Sequence, residues 1–263
     1  MAESTLSVST PDLRSATGRY LGYGTDYDAM AVEDQRAVDD CITRALRVFY
    51  FSSPGPSGAT HQWSFLRPVG SLTTASGTWE YELPSECGGI EGDMTFVTST
   101  GLYSPVPLVA EYRIRDQRAR IIGQTGSPQM AAVRSKPHTG TKGQRLEVLF
   151  WPTPDAAYEL EYRMVAYPNA ITPDSPWPYG GAAHAQTLLQ GCLAQAELHM
   201  DGTMGVQTEA YRQLLAASVS ADSQLQRPEY LGYNGDRSDM VAGGGMRSDR
   251  MTGLRVTYNN TLY

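Results

Sequence analysis

The stretch "YELEYRMVAY" spans residues 158–167, and "PNAITPDSPWPYGG" follows it at 168–181. Successive side chains of an extended chain point to opposite faces. Tyr158, Leu160, Tyr162 and Met164 therefore form one rib, and Glu159, Glu161 and Arg163 the other. This is a strand with one dry face and one wet face. It stops on Pro168, Pro173, Pro176 and Pro178. Proline cannot donate to a ladder and holds its predecessor extended, so this segment reads as a stiff connector leaving a sheet. Upstream, "RLEVLFW" (145–151) is joined to the opening strand through "PTPD" (152–155), and the pair reads as a β-hairpin.

Outward from that hairpin, the period is alternating from His61 to Tyr167. "TWEYEL" (78–83) sets Trp79, Tyr81 and Leu83 against Glu80 and Glu82. "DMTFV" (93–97), "AEYRI" (110–114), "ARII" (119–122) and "MAAV" (130–133) are further short strands between Gly, Pro and Ser turns. With no helical segment read between them, the expectation is an antiparallel β-sandwich or barrel.

Helices flank this middle. "STPDLRSATGRYLGYG" (9–24) offers Thr10 as N-cap, Pro11 in the first turn, Leu13, Ala16, Tyr20 and Leu21 at helical spacing, and Gly22 and Gly24 as a stop. A second helix, about 29–51, carries the stripe Val38, Ile42, Ala45, Leu46 and Phe49. After the prolines, helix resumes at about 182–198 with Leu188, Leu189, Cys192, Leu193, Ala196 and Leu198. It resumes again at about 206–223 with Tyr211, Leu214, Leu215, Ser218 and Val219. The fold class is α+β: N- and C-terminal helices with an inserted antiparallel β-sandwich or barrel and an extended C-terminal tail. The expected boundaries are 1–55, 56–170, 171–223 and 224–263.

The tail from 224 has six glycines and no regular period. A few apolar residues are scattered along it, among them Tyr230, Leu231, Tyr233, Met240, Leu254, Val256, Tyr258, Leu262 and Tyr263, too few for a core of its own. These nine are the candidate partner-binding residues. "LRVTYNNTLY" (254–263) has the β-type composition to add a strand to another chain's sheet.

The 263 residues carry 28 acids and 21 bases, a net charge of −7. A general nucleic-acid binder needs a basic face to displace counterions. An acidic wall instead repels phosphate and lets DNA pass without sticking. Tyrosine (16) outnumbers phenylalanine (5), which suits half-wet interfaces. Cys41, Cys87 and Cys192 are odd in number and far apart, which reads as a reducing compartment. No apolar run has the length of a membrane span, and the N-terminus lacks the basic and apolar regions of a secretion signal. The expectation is a soluble protein made inside a cell.

Chemistry is hard to assemble from these residues. His184, Cys192, Glu197 and His199 share one helix, but His184 and Cys192 are two turns apart, too far to share a metal. They read as a core cysteine with half-exposed histidines. "GGIEGD" (88–93) and "VAGGGM" (241–246) do not open a helix after a strand, so they are turns and not phosphate cradles. The pairs Glu80/Glu82 and Glu159/Glu161 could serve a glycosidase, but they also match any wet strand face. No catalytic residue, cofactor or metal is assigned. The chain does not read as an enzyme.

The order of parts, with "DLRSATGRYLGYG", "YELPSECGGIEGDMTF", "PDAAYELEYR", "GCLAQAELHMDG" and "PEYLGYNGD", resembles the head-to-tail adaptor, or connector, proteins of tailed bacteriophages. The tail tubular or gatekeeper proteins of short-tailed phages are the type meant, and the resemblance covers most of residues 10–235. It implies a virion protein at the head–tail junction, made in host cytoplasm. It further implies twelve copies in a ring on the portal protein, helices packed between subunits around a channel for DNA, and tail nozzle or tube proteins docked below. The C-terminal segment would grip the portal or a neighbour. The competing expectation is a carbohydrate-binding or glycan-processing β-sandwich of a phage tail, motivated by the paired acids and by Trp63, Trp79, Trp151 and Trp177.

Overall fold

A computed structural model describes residues 4–51, 61–97, 103–138, 140–172, 175–225, 257–258 and 261–262. Its helices are α1 (Thr10–Tyr20), α2 (Val32–Tyr50), α3 (Glu111–Arg120), α4 (Gly181–Asp201) and α5 (Val206–Leu225). Its strands are β1 (Val69–Thr73), β2 (Glu80–Glu82), β3 (Cys87–Phe96), β4 (Met130–Ser135), β5 (Leu146–Trp151), β6 (Glu159–Ala166), β7 (Thr257–Tyr258) and β8 (Thr261–Leu262). Contacts divide the chain into Met1–Leu225 and Gln226–Tyr263.

Helices from both ends of the first unit share one core. Leu13 of α1 joins Val38, Ile42, Ala45, Leu46 and Phe49 of α2, and Leu188, Cys192 and Ala196 of α4. α4 packs on α1, α2 and α5, which explains why its buried residues are not confined to one stripe. Gly191 permits the α4–α5 approach: a Cβ there would stand 3.0 Å from the Tyr211 ring. The cap of α1 differs from the sequence expectation by one residue. Ser9 is the N-cap, with its amide and hydroxyl donating to Asp12 at 2.9 and 2.5 Å. Thr10 is the first helical residue, because its own amide and hydroxyl donate to Pro176 O at 2.9 and 2.8 Å. The proline connector is thereby tied to the start of α1.

The β region is two three-stranded antiparallel sheets, ordered β1-β6-β3 and β2-β5-β4. They close a shared core of Leu83, Met94, Val106, Ala131, Val148, Phe150, Leu160, Tyr162 and Met164. The segment 106–109 stitches one edge. Val106 and Met94 exchange amide hydrogen bonds at 2.7 and 2.9 Å, and Val109 donates to Ala131 O at 2.8 Å. The architecture is a small sandwich with no closed barrel among the described residues.

The two-faced strand expected at 158–167 is present. Leu160, Tyr162, Met164 and Ala166 of β6 are buried, while Glu159, Glu161 and Arg163 are exposed. The hairpin is not. β5 pairs with β2 and β4, and β6 pairs with β1 and β3, so the two strands face one another across the core. The chain changes sheets at 152–158, where Pro152 and Pro154 cannot extend a ladder.

The segments "AEYRI" and "ARII", expected as strands, fall in or just after α3. Only Ile114 of this helix is buried, so an alternating pattern was not needed. Its Glu, Arg, Gln and Ala residues favour helix, and Glu111–Arg115 (3.7 Å) and Asp116–Arg120 (3.0 Å) pair at i,i+4. α3 covers the outer face of the second sheet through Ile114, Ala132 and Leu149. Hence β5 is buried on both faces. Trp79 packs with this outer cluster while Tyr81 and Leu83 face the inter-sheet core, so the three do not share a face as expected.

Candidate assembly surface

The turn between α4 and α5 is hydrogen-bonded inside and apolar outside. Glu197, 5% exposed, sits in the last turns of α4. Its carboxylate accepts from the amides of Gly205 (3.1 Å), Gln207 (3.0 Å) and Thr208 (3.0 Å) and from the Thr208 hydroxyl (3.0 Å). Burial alone would raise its pKa, but these donors, which satisfy the open amides of the α5 N-terminus, outweigh burial and hold it below the usual carboxylate range. Gly205 allows the approach, since a Cβ there would reach within 2.5 Å of Glu197 Oε1. Around this cap Leu198, Met200, Met204 and Val206 are exposed. Leu198 was expected on the buried stripe. It projects outward because α4 ends at Asp201, past the helices that cover its middle.

At the other end of α5, Asp222 is buried at 1% exposure. It accepts from Ser64 N (3.1 Å), Ser64 Oγ (2.5 Å) and His61 Nε2 (2.8 Å). The segment after α2 is thereby bound to the last turn before residue 226. Beside it, Phe49, Trp63, Phe65 and His184 stack, with ring centroids of His184 and Trp63 5.2 Å apart. The Trp63 indole donates to Phe49 O at 3.0 Å. His184 is in this core and is not half-exposed, as the sequence suggested. Burial pushes its pKa down, partly countered by Asp222. His199 is exposed.

Where the helical and β layers meet, Phe51 packs edge-on to Tyr167 at 5.5 Å, and the Tyr50 hydroxyl donates to Tyr179 O at 3.3 Å. Phe51, Tyr167, Trp177 and Tyr179 all keep exposed surface there.

Of the nine candidate partner-binding residues, Tyr258 lies in β7 and Leu262 in β8. These two short strands pair antiparallel, Thr257 with Leu262 and Tyr258 with Thr261. Tyr230, Leu231, Tyr233, Met240, Leu254, Val256 and Tyr263 lie outside the described residues. Among the described residues, no group of three or more His, Cys, Asp and Glu side chains could hold a metal ion. No described helix is long and apolar enough to cross a membrane. Cys41, Cys87 and Cys192 are free and buried.

The acid pair Glu80/Glu82 is occupied by cations: Arg134 lies 3.2 Å from Glu80, and Lys136 lies 2.6 Å from Glu82. The Lys136 hydrogen bond holds the Glu82 carboxyl below its usual range. Trp79 lies under the Arg118 guanidinium at 3.9 Å, and Trp63 is buried. Sequence reasoning missed the Glu197 cap and the Asp222 junction. The pair Glu197 and Thr208 spans the "DGTMG" break, and only the turn geometry brings it together.

No curated protein matches the chain. A family model described as SU10 adaptor protein matches residues 10–238, which include the helical layer and the whole sandwich. The chain belongs to the SU10 adaptor protein family and is a bacteriophage head-to-tail adaptor, a structural component of the virion.

Proposed function

We propose that this adaptor acts as a closed ring of identical subunits, twelve in number, that sits on the portal protein. The ring gives DNA a channel without sequence-specific contacts and offers tail nozzle or tube proteins a docking surface. It is assembled in host cytoplasm and performs no catalysis. The observation that carries this reading is the α4–α5 turn. Its geometry is locked by the buried Glu197 carboxylate, yet Leu198, Met200, Met204 and Val206 around it face solvent. Preorganised apolar surface of this kind lowers the ordering cost of association.

Residues 226–263, with Tyr230, Leu231, Tyr233, Met240, Leu254, Val256, Tyr258, Leu262 and Tyr263, are the proposed grip on the portal or a neighbour. Ordering such a segment is offset by area supplied by the partner. Rings with cyclic symmetry in electron micrographs of the chain mixed with its portal are the expected result. A chain ending at Leu225 should keep its fold and lose stable portal binding. Portal binding unchanged by that truncation would remove the arm from the mechanism, and asymmetric one-to-one complexes would remove the ring.

A further inference from the structure

The charge of −7 is unevenly spread. α3, β4, β5 and the loop between those strands carry Arg113, Arg115, Arg118, Arg120, Arg134, Lys136, Lys142 and Arg145. The carboxylates on or beside this face are only Glu80, Glu82, Glu111, Asp116 and Glu147. Three cations crowd Glu82 alone: Lys136 at 2.6 Å, Arg145 at 3.8 Å and Lys142 at 4.0 Å. Arg134 of β4 reaches Glu111 at 3.9 Å, so the start of α3 lies beside the strand that leads into the loop. Exposed Tyr112 is at that end of α3.

The opposite imbalance lies on the helical layer. Residues 26–40 hold Asp26, Asp28, Glu33, Asp34, Asp39 and Asp40 against Arg36. Arg14 pairs with Asp39 at 2.9 and 3.0 Å, but Asp28, Glu33, Asp34 and Asp40 have no ion-pair partner among the described residues. Exposed Val32 sits among them. The acidic edge is built on the turn at 26–31 and the first half of α2, which packs on α1 and α4, while the basic face is built on α3 and strands. One subunit therefore does not neutralise its own two surfaces. Each carries an exposed side chain with apolar surface, Tyr112 on one and Val32 on the other, among charged residues whose balance is basic on the first and acidic on the second, the arrangement of an interface with an apolar centre and a polar rim.

We infer that the basic α3/β4–β5 face of one copy docks on the acidic edge at residues 26–40 of the next, a heterologous contact that repeats from subunit to subunit. The inference rests on the ring reading and names the surfaces that make the ring.

Lys136 and Lys142 are the only lysines in the chain, which makes the test direct. The assembled chain, mixed from isotopically light and heavy copies, is treated with a carbodiimide that joins amines to carboxylates at zero length. Mixed-isotope links from Lys142 to Asp28, Glu33, Asp34 or Asp40 are expected, and they should fade in molar salt as screening shortens to a few ångströms. Native mass measurement gives a second readout. Reversing one face (Arg113→Glu with Lys142→Glu, or Glu33→Lys with Asp40→Lys) should weaken self-association roughly tenfold or more. Reversing both faces in one chain should restore it, and the two singly reversed chains should co-assemble in alternation.

Lys142 already lies 4.0 Å from Glu82 of its own copy, so that link is expected in any case. Mixed-isotope links from Lys142 that are absent from residues 26–40, or that reach residues 226–263 instead, overturn the contact. So do reversed chains that assemble normally. Reversed chains that assemble normally but lose affinity for a DNA duplex would reassign the basic face to phosphate. A wild-type chain that remains a monomer alone and on its portal refutes the ring itself, a failure distinct from the others.

Discussion

Replacing Asp222 by Ala tests whether the end of α5 is held by one buried carboxylate. The side chain accepts from the Ser64 amide, the Ser64 hydroxyl and His61 at 2.5–3.1 Å, and it is 1% exposed. Alanine leaves those donors facing a small void. Each orphaned polar group costs about 1–3 kcal/mol, but Ser64 and His61 are partly exposed and can regain water. The net loss is therefore about 3 kcal/mol, the lower end for breaking a buried charged network. For a unit of this size about 1 kcal/mol moves the midpoint by roughly 2–4 °C, so Tm should fall by roughly 6–12 °C. Differential scanning calorimetry reads this directly. Asp222→Asn should fall between, because its amide keeps one acceptor but turns a donor toward donors. Ser64→Ala combined with Asp222→Ala should cost less than the two singles summed, since both remove one interaction. A Tm within about 2 °C of wild type for Asp222→Ala would refute the claim that this network holds α5 to the segment after α2.

Glu197→Gln should lower Tm and flatten the acid limb of the stability curve. A depressed carboxyl stabilises the fold above its unfolded pKa and loses that contribution as pH falls through the folded value, so the two proteins should converge in strong acid. Thermal scans across pH 2–6 check this, and parallel curves would deny the cap its role. His184 has a lowered pKa in the fold. The unfolded chain therefore binds a proton first, and stability is full above about 6.5, then declines as pH falls toward the folded value. His184→Phe should remove that decline if the pocket accepts the ring. Phe150→Ala, between the two sheets, should cost about 3–5 kcal/mol in urea unfolding, whereas Tyr112→Ala on the exposed side of α3 should stay within about 0.5 kcal/mol. Gly205→Ala should destabilise the α4–α5 turn because the Cβ meets the Glu197 carboxylate, and amide exchange at Gln207 and Thr208 should quicken.

Sequence periodicity alone determined the four long helices and the two-faced strand at 159–166. Each carries enough apolar residues at a fixed spacing for burial to select one backbone geometry: Val38, Ile42, Ala45, Leu46 and Phe49 on α2, and Leu160, Tyr162 and Met164 on β6. The stop at residues 168–178 was legible too, because proline limits the backbone whatever surrounds it. Strand partners were not legible. β5 and β6 are separated by seven residues that would suit a hairpin as well as a change of sheet, and the choice follows from what covers the other face of β5. α3 supplies that cover, yet its sequence offers one buried residue, Ile114, and no stripe. The charged junctions at Glu197, Asp222 and Arg134 also depend on side chains brought together from distant segments. Local pattern encodes how much of an element must be dry. Only the packed tertiary structure decides what dries it, because that depends on contacts between segments that the linear order does not rank.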